Sequence, residues 1–380
     1  MQIDLTESQA LRLDSARRFA EESVAPWAAE IDRRQLTPAH VLSAIKRSGY
    51  LGAALPTTWG GGGFDPVSYG VVTGELGKAC SSVRSLMTVH NMSAQAVALF
   101  GSEAQRNRWL PDLSSGERLM AFALSEPAIG SDAKAIQTEA VQSGGEFIVS
   151  GMKKWITYGQ LADLFLVFAK HEQGSIALVI DRRVDGLSIE PQSDLLGTRG
   201  SMLAMLHFDN VRVPAENLLG SPGMGIKWVA NVALDHGRYS VGWGCVGIIH
   251  ACLDASLNYA QSRQQGGKRL ADHQLIRRKL TNMLVDATTA RAVCIRSGHM
   301  RERGDPRAAT ETSLAKYHAS VSARRAATNA VRLHGANGCS AEFPVNRFLR
   351  DATVMGVVEG TDEMQQLTLA DYALQRPYRH

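Results

Sequence analysis

A block of short β-like segments between about residues 118 and 213 constrains the fold of this chain more than any other feature. The segments are rich in Val, Ile, Leu, Phe and Ala, and turns with Gly and Asp separate them. Regular short strands without intervening helices predict an antiparallel barrel or sandwich, not a parallel βαβ sheet. The predicted strands cover residues 121–124, 147–149, 164–169, 176–180, 187–189 and 205–208.

Helical sequence lies on both sides of this block. Thr6 and Gln9 have the spacing of a capping box, Pro26 predicts a kink in the helix that follows, and Pro38 opens a second helix. Further helices are predicted over residues 66–78, 82–100, 226–262, 271–303, 306–335, 345–357 and 361–375. We therefore expect an α+β protein with three domains: an N-terminal α-helical domain (1–118), a middle β domain (119–225) and a C-terminal four-helix bundle (226–380).

Composition excludes several classes of function. The 41 basic and 37 acidic residues among 380 are mixed along the chain, with a net charge of only +4, which argues against a nucleic-acid binder. Five widely spaced cysteines give neither a disulfide framework nor zinc-ligand spacing, so no metal is expected. No apolar run is long enough to predict a membrane span, and residues 1–7 lack signal-sequence features, so we expect a cytoplasmic protein.

Glu359 is the acid with the most unusual sequence setting. It follows the apolar run 354–358, and Gly360 breaks the chain directly after it. Thr361 is predicted to cap a helix whose first turn carries Asp362 and Glu363. A carboxylate in such a place could be desolvated enough to act as a base, and a solvated acid at a turn is the alternative.

Two motifs in the β block could line a flat ligand. Residues 122–132 (FALSEPAIGSD) and 151–159 (GMKKWITYG) offer hydroxyl groups beside an apolar surface. Ser125, Ser131 and Thr157 can hydrogen-bond the edge of a heteroaromatic ring, and Trp155 can stack on its face. A Ser-rich turn and a core tryptophan are the alternative for either motif taken alone.

Taken together and in order, the motifs resemble those of the acyl-CoA dehydrogenase family of flavoproteins. The resemblance extends over nearly the whole chain, and six ordered motifs are far more specific than any one. They are Glu126-Pro127-x-x-Gly130-Ser131-Asp132, Lys153-x-Trp155-Ile156-Thr157, Arg199-Gly200-Ser201 with Phe208-x-x-Val211-x-Val213-Pro214, Arg263-x-x-x-Gly267 with Gln274, Arg350-Asp351, and Glu359-Gly360-Thr361.

The resemblance implies FAD as the cofactor and assigns roles to particular residues. Glu359 matches the catalytic base, and the matches to substrate-contacting positions are Ser131, Asp235, Arg238 and Gly360. In the family, Arg263, Gln265 and Gln274 match residues that reach FAD in a neighbouring subunit, which implies a homo-oligomer, a dimer or tetramer. All FAD-contact matches are Phe122, Ala123, Leu124, Ser125, Gly130, Ser131, Trp155, Ile156, Thr157, Arg263, Gln265, Gln274, Arg332, Leu333, His334, Gly335, Ala336, Thr361 and Glu363.

The implied reaction is the dehydrogenation of an acyl thioester. Glu359 would take the α-proton while the β-hydride passes to flavin N5, which leaves an enoyl thioester. The backbone N–H of Glu359 and a flavin ribityl hydroxyl would polarise the thioester carbonyl, and Arg238 would help fix the end of the bundle. The usual electron acceptor in the family is an electron-transfer flavoprotein.

Four departures from the family pattern affect the substrate and the cofactor. Gly266 stands in place of the usual Phe, Arg332 in place of Gln, and Tyr158 in place of Asn. The sequence HGANGC at 334–339 is similar to members associated with polyketide and nonribosomal peptide synthesis that oxidise carrier-protein thioesters, so the substrate is an acyl-CoA or an acyl-carrier-protein thioester. The alternatives are a flavin oxidase or monooxygenase, oxidation of a hydroxyacyl carrier protein, and a flavin-free scaffold protein.

Overall fold

The computed structural model describes residues 4–375, and its first region is helical as predicted. The capping box at Thr6 and Gln9 forms, and the predicted kink at Pro26 is a 3₁₀ turn, Ala25–Trp27, that separates the first two helices. A left-handed residue, Gly49, ends the third helix. The helices are α1 (Glu7–Ser23), α2 (Ala28–Arg34), α3 (Ala39–Arg47), α4 (Pro66–Ala79), α5 (Ser81–Phe100) and α6 (Glu103–Ser115).

The middle region is a seven-stranded sheet, which confirms the predicted β domain but corrects its topology. The sheet is mixed, since β1 (Met120–Ala123) pairs in parallel with β4 (Leu164–His171). Short strands separated by turns indicate a β domain, but they do not reveal which non-consecutive strands pair. The other strands are β2 (Glu139–Ser143), β3 (Glu146–Ile156), β5 (Gly174–Asp181), β6 (Leu187–Pro191) and β7 (Ala204–Pro214).

Strand β2 was missed from the sequence, and β3 and β7 are longer than predicted. For β2 the reason is exposure, since four of its five side chains are exposed and it lacks the apolar pattern that identifies a strand. The antiparallel pair β3–β7 contains two irregularities in register, between Val149 and Gly151 and between Lys153 and Ile156. The second of these irregularities lies inside the motif that carries Trp155.

The C-terminal region is a helical bundle, as predicted. A π-helical segment (Gly225–Ala230) leads into α7 (Asn231–Ser262), and a small hairpin of β8 (Gln264–Gln265) and β9 (Lys268–Arg269) leads into α8. The remaining helices are α8 (Gln274–Glu302), α9 (Ala308–His334), α10 (Pro344–Met355) and α11 (Asp362–Gln375). The stretch Gly225–Ser262 is apolar and long enough to cross a membrane, but 78% of its apolar window is buried, which is typical of a core helix.

The N-terminal and C-terminal helices share one hydrophobic core. Buried residues from α1, α4 and α5 pack in the same cluster as residues from α7, α8, α9 and α10. Helices α4 and α7 approach closely where neither carries a side chain, because a Cβ added at Gly77 would lie 2.8 Å from the Cα of Gly244. Helix α5 also meets α7, where the hydroxyl groups of Thr88 and Ser240 are 2.7 Å apart, and the site described next lies beside this contact.

Candidate active site

Glu359 lies in the connection between α10 and α11, and its backbone is strained. Its φ is +57° and that of the next residue, Gly360, is +89°. The left-handed region is costly for a residue with a Cβ, and such residues are concentrated at functional sites. The tight turn aims the Glu359 side chain back at α7 instead of outward from the loop.

A glycine on α7 makes room for the Glu359 carboxyl group. A Cβ added at Gly237 would lie 2.6 Å from Cδ of Glu359 and 3.1 Å from Sδ of Met92, so no larger residue fits without displacement. Oε2 of Glu359 is shielded from solvent and has no hydrogen-bond partner among the described residues. Burial raises the pKa of Glu359 from 4.5 to about 7, although Arg238, Arg84 and Lys316 act to lower it.

Two cations hold the backbone of this turn. Nε of Arg238 donates to the carbonyl oxygen of Glu359 at 3.1 Å, and Nζ of Lys316 donates to that of Gly360 at 2.9 Å. Lys316 is 0% exposed, so its contacts are made away from water. Because both cations bind backbone oxygens, they fix the turn without neutralising the Glu359 carboxylate by direct contact.

The start of α11 is anchored by the same lysine. Asp362 accepts from Nζ of Lys316 at 3.2 Å and from Oγ of Ser320 at 2.6 Å. Oγ1 of Thr361 accepts from the backbone N–H of Met364 at 3.3 Å, which confirms the predicted cap. The chain directly after Glu359 is therefore tied to α9, while the Glu359 carbonyl is tied to α7.

The structure gives Asp235, a predicted substrate contact, a different partner. It forms an ion pair with Arg301 of α8, and Arg301 also lies over the ring of Tyr239 at 4.9 Å. Arg238, one turn further along α7, is next to the Glu359 turn as described above. The carboxylate of Asp235 is thus engaged in tying α7 to α8.

Trp155 has the features of a residue that binds a flat ligand. It adopts φ +64° at the second irregularity of β3, and its side chain is 50% exposed. A strand irregularity of this kind redirects a side chain, and a large exposed aromatic ring in a strained conformation is not explained by packing. Tyr158, which also has positive φ, is buried instead and hydrogen-bonds Thr37 at 2.8 Å.

A buried ion pair joins the two predicted flavin-lining motifs. Nζ of Lys153 donates to Glu126 at 2.7 Å and to the carbonyl of Leu124 at 3.1 Å. The backbone N–H of Lys154 donates to the carbonyl of Ser125 at 2.9 Å. These contacts join residues 122–131 and 153–157 into one continuous surface, on which Trp155 is half-exposed.

Other predicted FAD contacts divide between buried and exposed positions. The Phe122 ring packs on that of Phe168 at 5.0 Å, while Gly130 and Ser131 are exposed. In the β8–β9 hairpin, Gly266 and Gly267 have φ of +58° and +76°, the conformation a two-residue turn of this type needs. Glycine at 266, where the family usually has Phe, is thus explained by the turn. The exposed predicted residues around it are Arg263, Gln265 and Gln274.

The end of α9 carries both buried and exposed predicted FAD contacts. His334 is buried and stacks on Tyr259, with ring centroids 4.2 Å apart, and burial lowers its pKa. The helix ends there, and the chain turns at Gly335 with φ +64°. The remaining predicted contacts of this segment are Leu333, which is buried, and Arg332 and Ala336, which are exposed.

The most informative residues that sequence reasoning missed are Lys316 and Gly237. Lys316 occupies an inward position on α9 between Thr312 and Ala319, where a charged residue breaks the small, buried pattern of that face. A lysine at a position where the helical pattern predicts a buried residue was a sequence signal that could have identified it. Gly237 had no such signal beyond its place between Asp235 and Arg238.

The comparisons with known proteins place the chain in a family. Family models for the N-terminal, middle and C-terminal domains of acyl-CoA dehydrogenases match residues 6–117, 121–211 and 223–374. The probable acyl-CoA dehydrogenase YngJ of Bacillus subtilis is 36% identical over 377 residues, which cover 97% of this chain and 99% of that protein. The chain therefore belongs to the acyl-CoA dehydrogenase family, as its motifs indicated.

Solved structures of similar fold match this chain over almost its full length. Butyryl-CoA dehydrogenase from Megasphaera elsdenii has a TM-score of 0.95 at 33% identity, covering 99% of this chain and 100% of that one. The prolyl acyl carrier protein oxidase AnaB has a TM-score of 0.92 at 26% identity, covering 97% and 99%. The family is FAD-dependent, and this chain is an oxidoreductase of the acyl-CoA dehydrogenase type.

Proposed function

We propose that this protein is an FAD-dependent acyl-thioester dehydrogenase in which Glu359 removes the α-proton and an enoyl thioester forms. The observation that carries the proposal is the Glu359 carboxyl group, held in a strained turn against Gly237, whose shielded Oε2 has no hydrogen-bond partner in residues 4–375. A thioester α-proton is only weakly acidic, so its base benefits from a pKa near the working pH. Burial supplies this by raising the pKa of Glu359 to about 7.

The backbone beside Glu359 supports binding of the thioester carbonyl. Among the described residues, the Glu359 N–H donates to no protein acceptor, whereas Asp362 N–H is bonded to Gly356 at 2.8 Å. A fixed N–H donor at this place stabilises the negative charge that develops on the carbonyl oxygen when the α-proton leaves. Arg238 and Lys316 hold the turn so that donor and base keep one relative position.

The flavin would be held mainly by the middle domain and by neighbouring copies. Trp155, Ile156 and Thr157 would cover the ring, and Glu126 with Lys153 would keep that segment against residues 122–131. When bound, FAD supplies the hydride acceptor for the β-position. Arg263, Gln265 and Gln274 are exposed and would reach FAD of another subunit in a homo-oligomer, dimer or tetramer.

The acyl carrier is proposed to be either coenzyme A or an acyl carrier protein. A neighbour in structure is named a prolyl acyl carrier protein oxidase, and the HGANGC variant at 334–339 favours the carrier protein. The neighbour's name also favours oxygen as a second candidate for the electron acceptor, beside an electron-transfer flavoprotein.

The test is bleaching of the flavin absorbance in the absence of oxygen. The same acyl group would be presented on coenzyme A and on a carrier protein, and the first-order rate of bleaching measured for each. We expect bleaching by at least one of them, and a faster rate on the carrier protein supports the carrier-protein substrate. Faster bleaching by acyl-CoA would overturn that choice, and no bleaching by any thioester would overturn the dehydrogenase itself.

A further inference from the structure

A group of buried polar side chains lies between α4, α5 and α7, next to the Glu359 turn. Its centre is Arg84 of α5, which is only 2% exposed. Around it are Thr88, Ser240 of α7 and Tyr69 of α4. Arginine is seldom buried to this degree without an anionic partner, so the group needs an explanation.

The hydrogen bonds of this group leave donors without acceptors. The Arg84 guanidinium donates from NH1 to Thr88 Oγ1 at 3.0 Å and from NH2 to Met355 Sδ at 3.1 Å, and a thioether is a weak acceptor. Within the described part of the chain, Nε of Arg84 has no hydrogen-bond partner, and neither has the buried hydroxyl of Tyr69. Thr88 and Ser240 hydroxyls are 2.7 Å apart.

No protein carboxylate balances the guanidinium at contact distance. Among the described residues, none lies within the 4.0 Å that defines the ion pairs of this structure, although 21 such pairs form elsewhere. A buried charge without a counterion costs several kcal/mol, and an arginine keeps its proton even when burial lowers its pKa. The guanidinium therefore keeps free donors and a charge that can bind an anion from outside the chain, beside its longer-range interaction with Glu359.

Its position relative to the base limits what that anion can be. Along α5, Met92 is near Gly237 and Glu359, and Thr88 is one helical turn before it. Along α7, Ser240 is three residues beyond Gly237, a rise of about 4.5 Å. The hydroxyls and guanidinium thus lie roughly one helical turn beyond the point where the Glu359 carboxyl meets α7.

We propose that Arg84, with Thr88, Ser240 and Tyr69, binds a carboxylate at the far end of the acyl group. The preferred substrates are then thioesters of short dicarboxylic acids and not of plain fatty acids. This inference rests on the proposed dehydrogenase function, because it places the α-carbon of the acyl group at Glu359. The remote carboxylate supplies the missing acceptor for the unpaired donors, and an uncharged methyl group would leave them unsatisfied.

The experiment compares pairs of thioesters on one carrier. The members of a pair have equal chain length and differ only in whether the far end is a carboxylate or a methyl group, for four, five and six acyl carbons. The measured quantity is the ratio of kcat/KM for the carboxylate over the methyl member. For the unaltered holoenzyme the ratio exceeds one for at least one length, and Arg84→Gln lowers that ratio about 100-fold.

Two further variants keep the test decisive. Thr88→Val lowers the ratio without removing the charge, so it serves if Arg84→Gln does not fold. Arg212→Gln, which changes an arginine in an exposed ion pair with Glu146, is the matched control and leaves the ratio unchanged.

The outcomes separate this inference from the general function. If the methyl member is turned over faster at every length, the carboxylate site is wrong while the dehydrogenase stands. If Arg84→Gln slows both members equally, Arg84 acts only on the charge of Glu359 and the inference is overturned. If no thioester reduces the flavin, the proposed function itself fails.

Discussion

Replacing Glu359 by glutamine is expected to stabilise the fold while it removes the base. The carboxylate has no hydrogen-bond partner for Oε2 among the described residues, so its ionised form is poorly solvated in the folded protein. Glutamine keeps the size of the side chain and carries no charge. The variant therefore tests whether the charge of Glu359 is maintained at the expense of stability, as is common at active sites.

The size of the stabilisation expected from Glu359→Gln follows from the raised pKa of Glu359. The folded-state pKa of about 7 exceeds the usual 4.5, so the folded protein binds more protons than the unfolded chain between these values. Stability therefore falls as pH rises through this window. With about 1.4 kcal/mol for each pH unit, the ionised carboxylate costs the folded state about 3 kcal/mol above pH 7.

The assay is denaturant unfolding of both proteins, with the same FAD content, from pH 4 to pH 8. The gain in unfolding free energy of Glu359→Gln over the unaltered protein should grow from near zero at pH 4 to about 3 kcal/mol at pH 8. Glu342→Gln, a change at an exposed glutamate, is the matched control and should show no such growth. A gain for Glu359→Gln that does not vary with pH would refute the reasoning.

Three more substitutions test the geometry. Gly237→Ala forces the Glu359 carboxyl group aside and should lower kcat about 100-fold with the flavin retained. Gly145→Ala, at a position with open space around it, should leave kcat unchanged. Equal kcat values for the two variants would contradict the role of Gly237 in making room for the carboxyl group. Lys316→Met removes the buried one of the two cations beside the Asp362 carboxylate and leaves Arg324 at 3.6 Å and the Ser320 hydroxyl. It should cost about 2 kcal/mol in denaturant unfolding, and a change under about 1 kcal/mol would contradict its anchoring role. Trp155→Gly relieves a left-handed backbone and should raise the stability of the flavin-free protein by about 1 kcal/mol, while FAD binds about 10-fold more weakly. Unchanged FAD affinity would contradict the role of Trp155 in binding.

Much of the fold was predictable because its patterns are local. The Thr6 capping box, the kink at Pro26 and the cap at Thr361 depend on neighbours in sequence, and all three form. The sheet was less predictable, since the parallel pairing of β1 with β4 joins segments about 40 residues apart. Periodicity identifies strands and helices, but it does not specify which distant strand becomes a neighbour.

The motifs of the candidate site could be predicted from the sequence, but the residues that position them could not. Glu359 was identified from the residues around it and from the family pattern, but its shielding depends on a glycine of α7 that only the packing reveals. Likewise, the sequence does not show that Lys316 binds the carbonyl of Gly360, or that no carboxylate in residues 4–375 contacts Arg84. Such properties arise from contacts between α5, α7, α9 and the α10–α11 turn.

The most direct test of the account is anaerobic reduction of the bound flavin by an acyl thioester in the unaltered protein and in Glu359→Gln. The unaltered protein should lose its flavin absorbance when the thioester is added, with a rate that rises as pH passes through about 7, the pKa of Glu359. Glu359→Gln should keep its flavin and its affinity for the thioester but show no reduction. Reduction of the flavin in Glu359→Gln at a rate near that of the unaltered protein would contradict the central claim that Glu359 is the base.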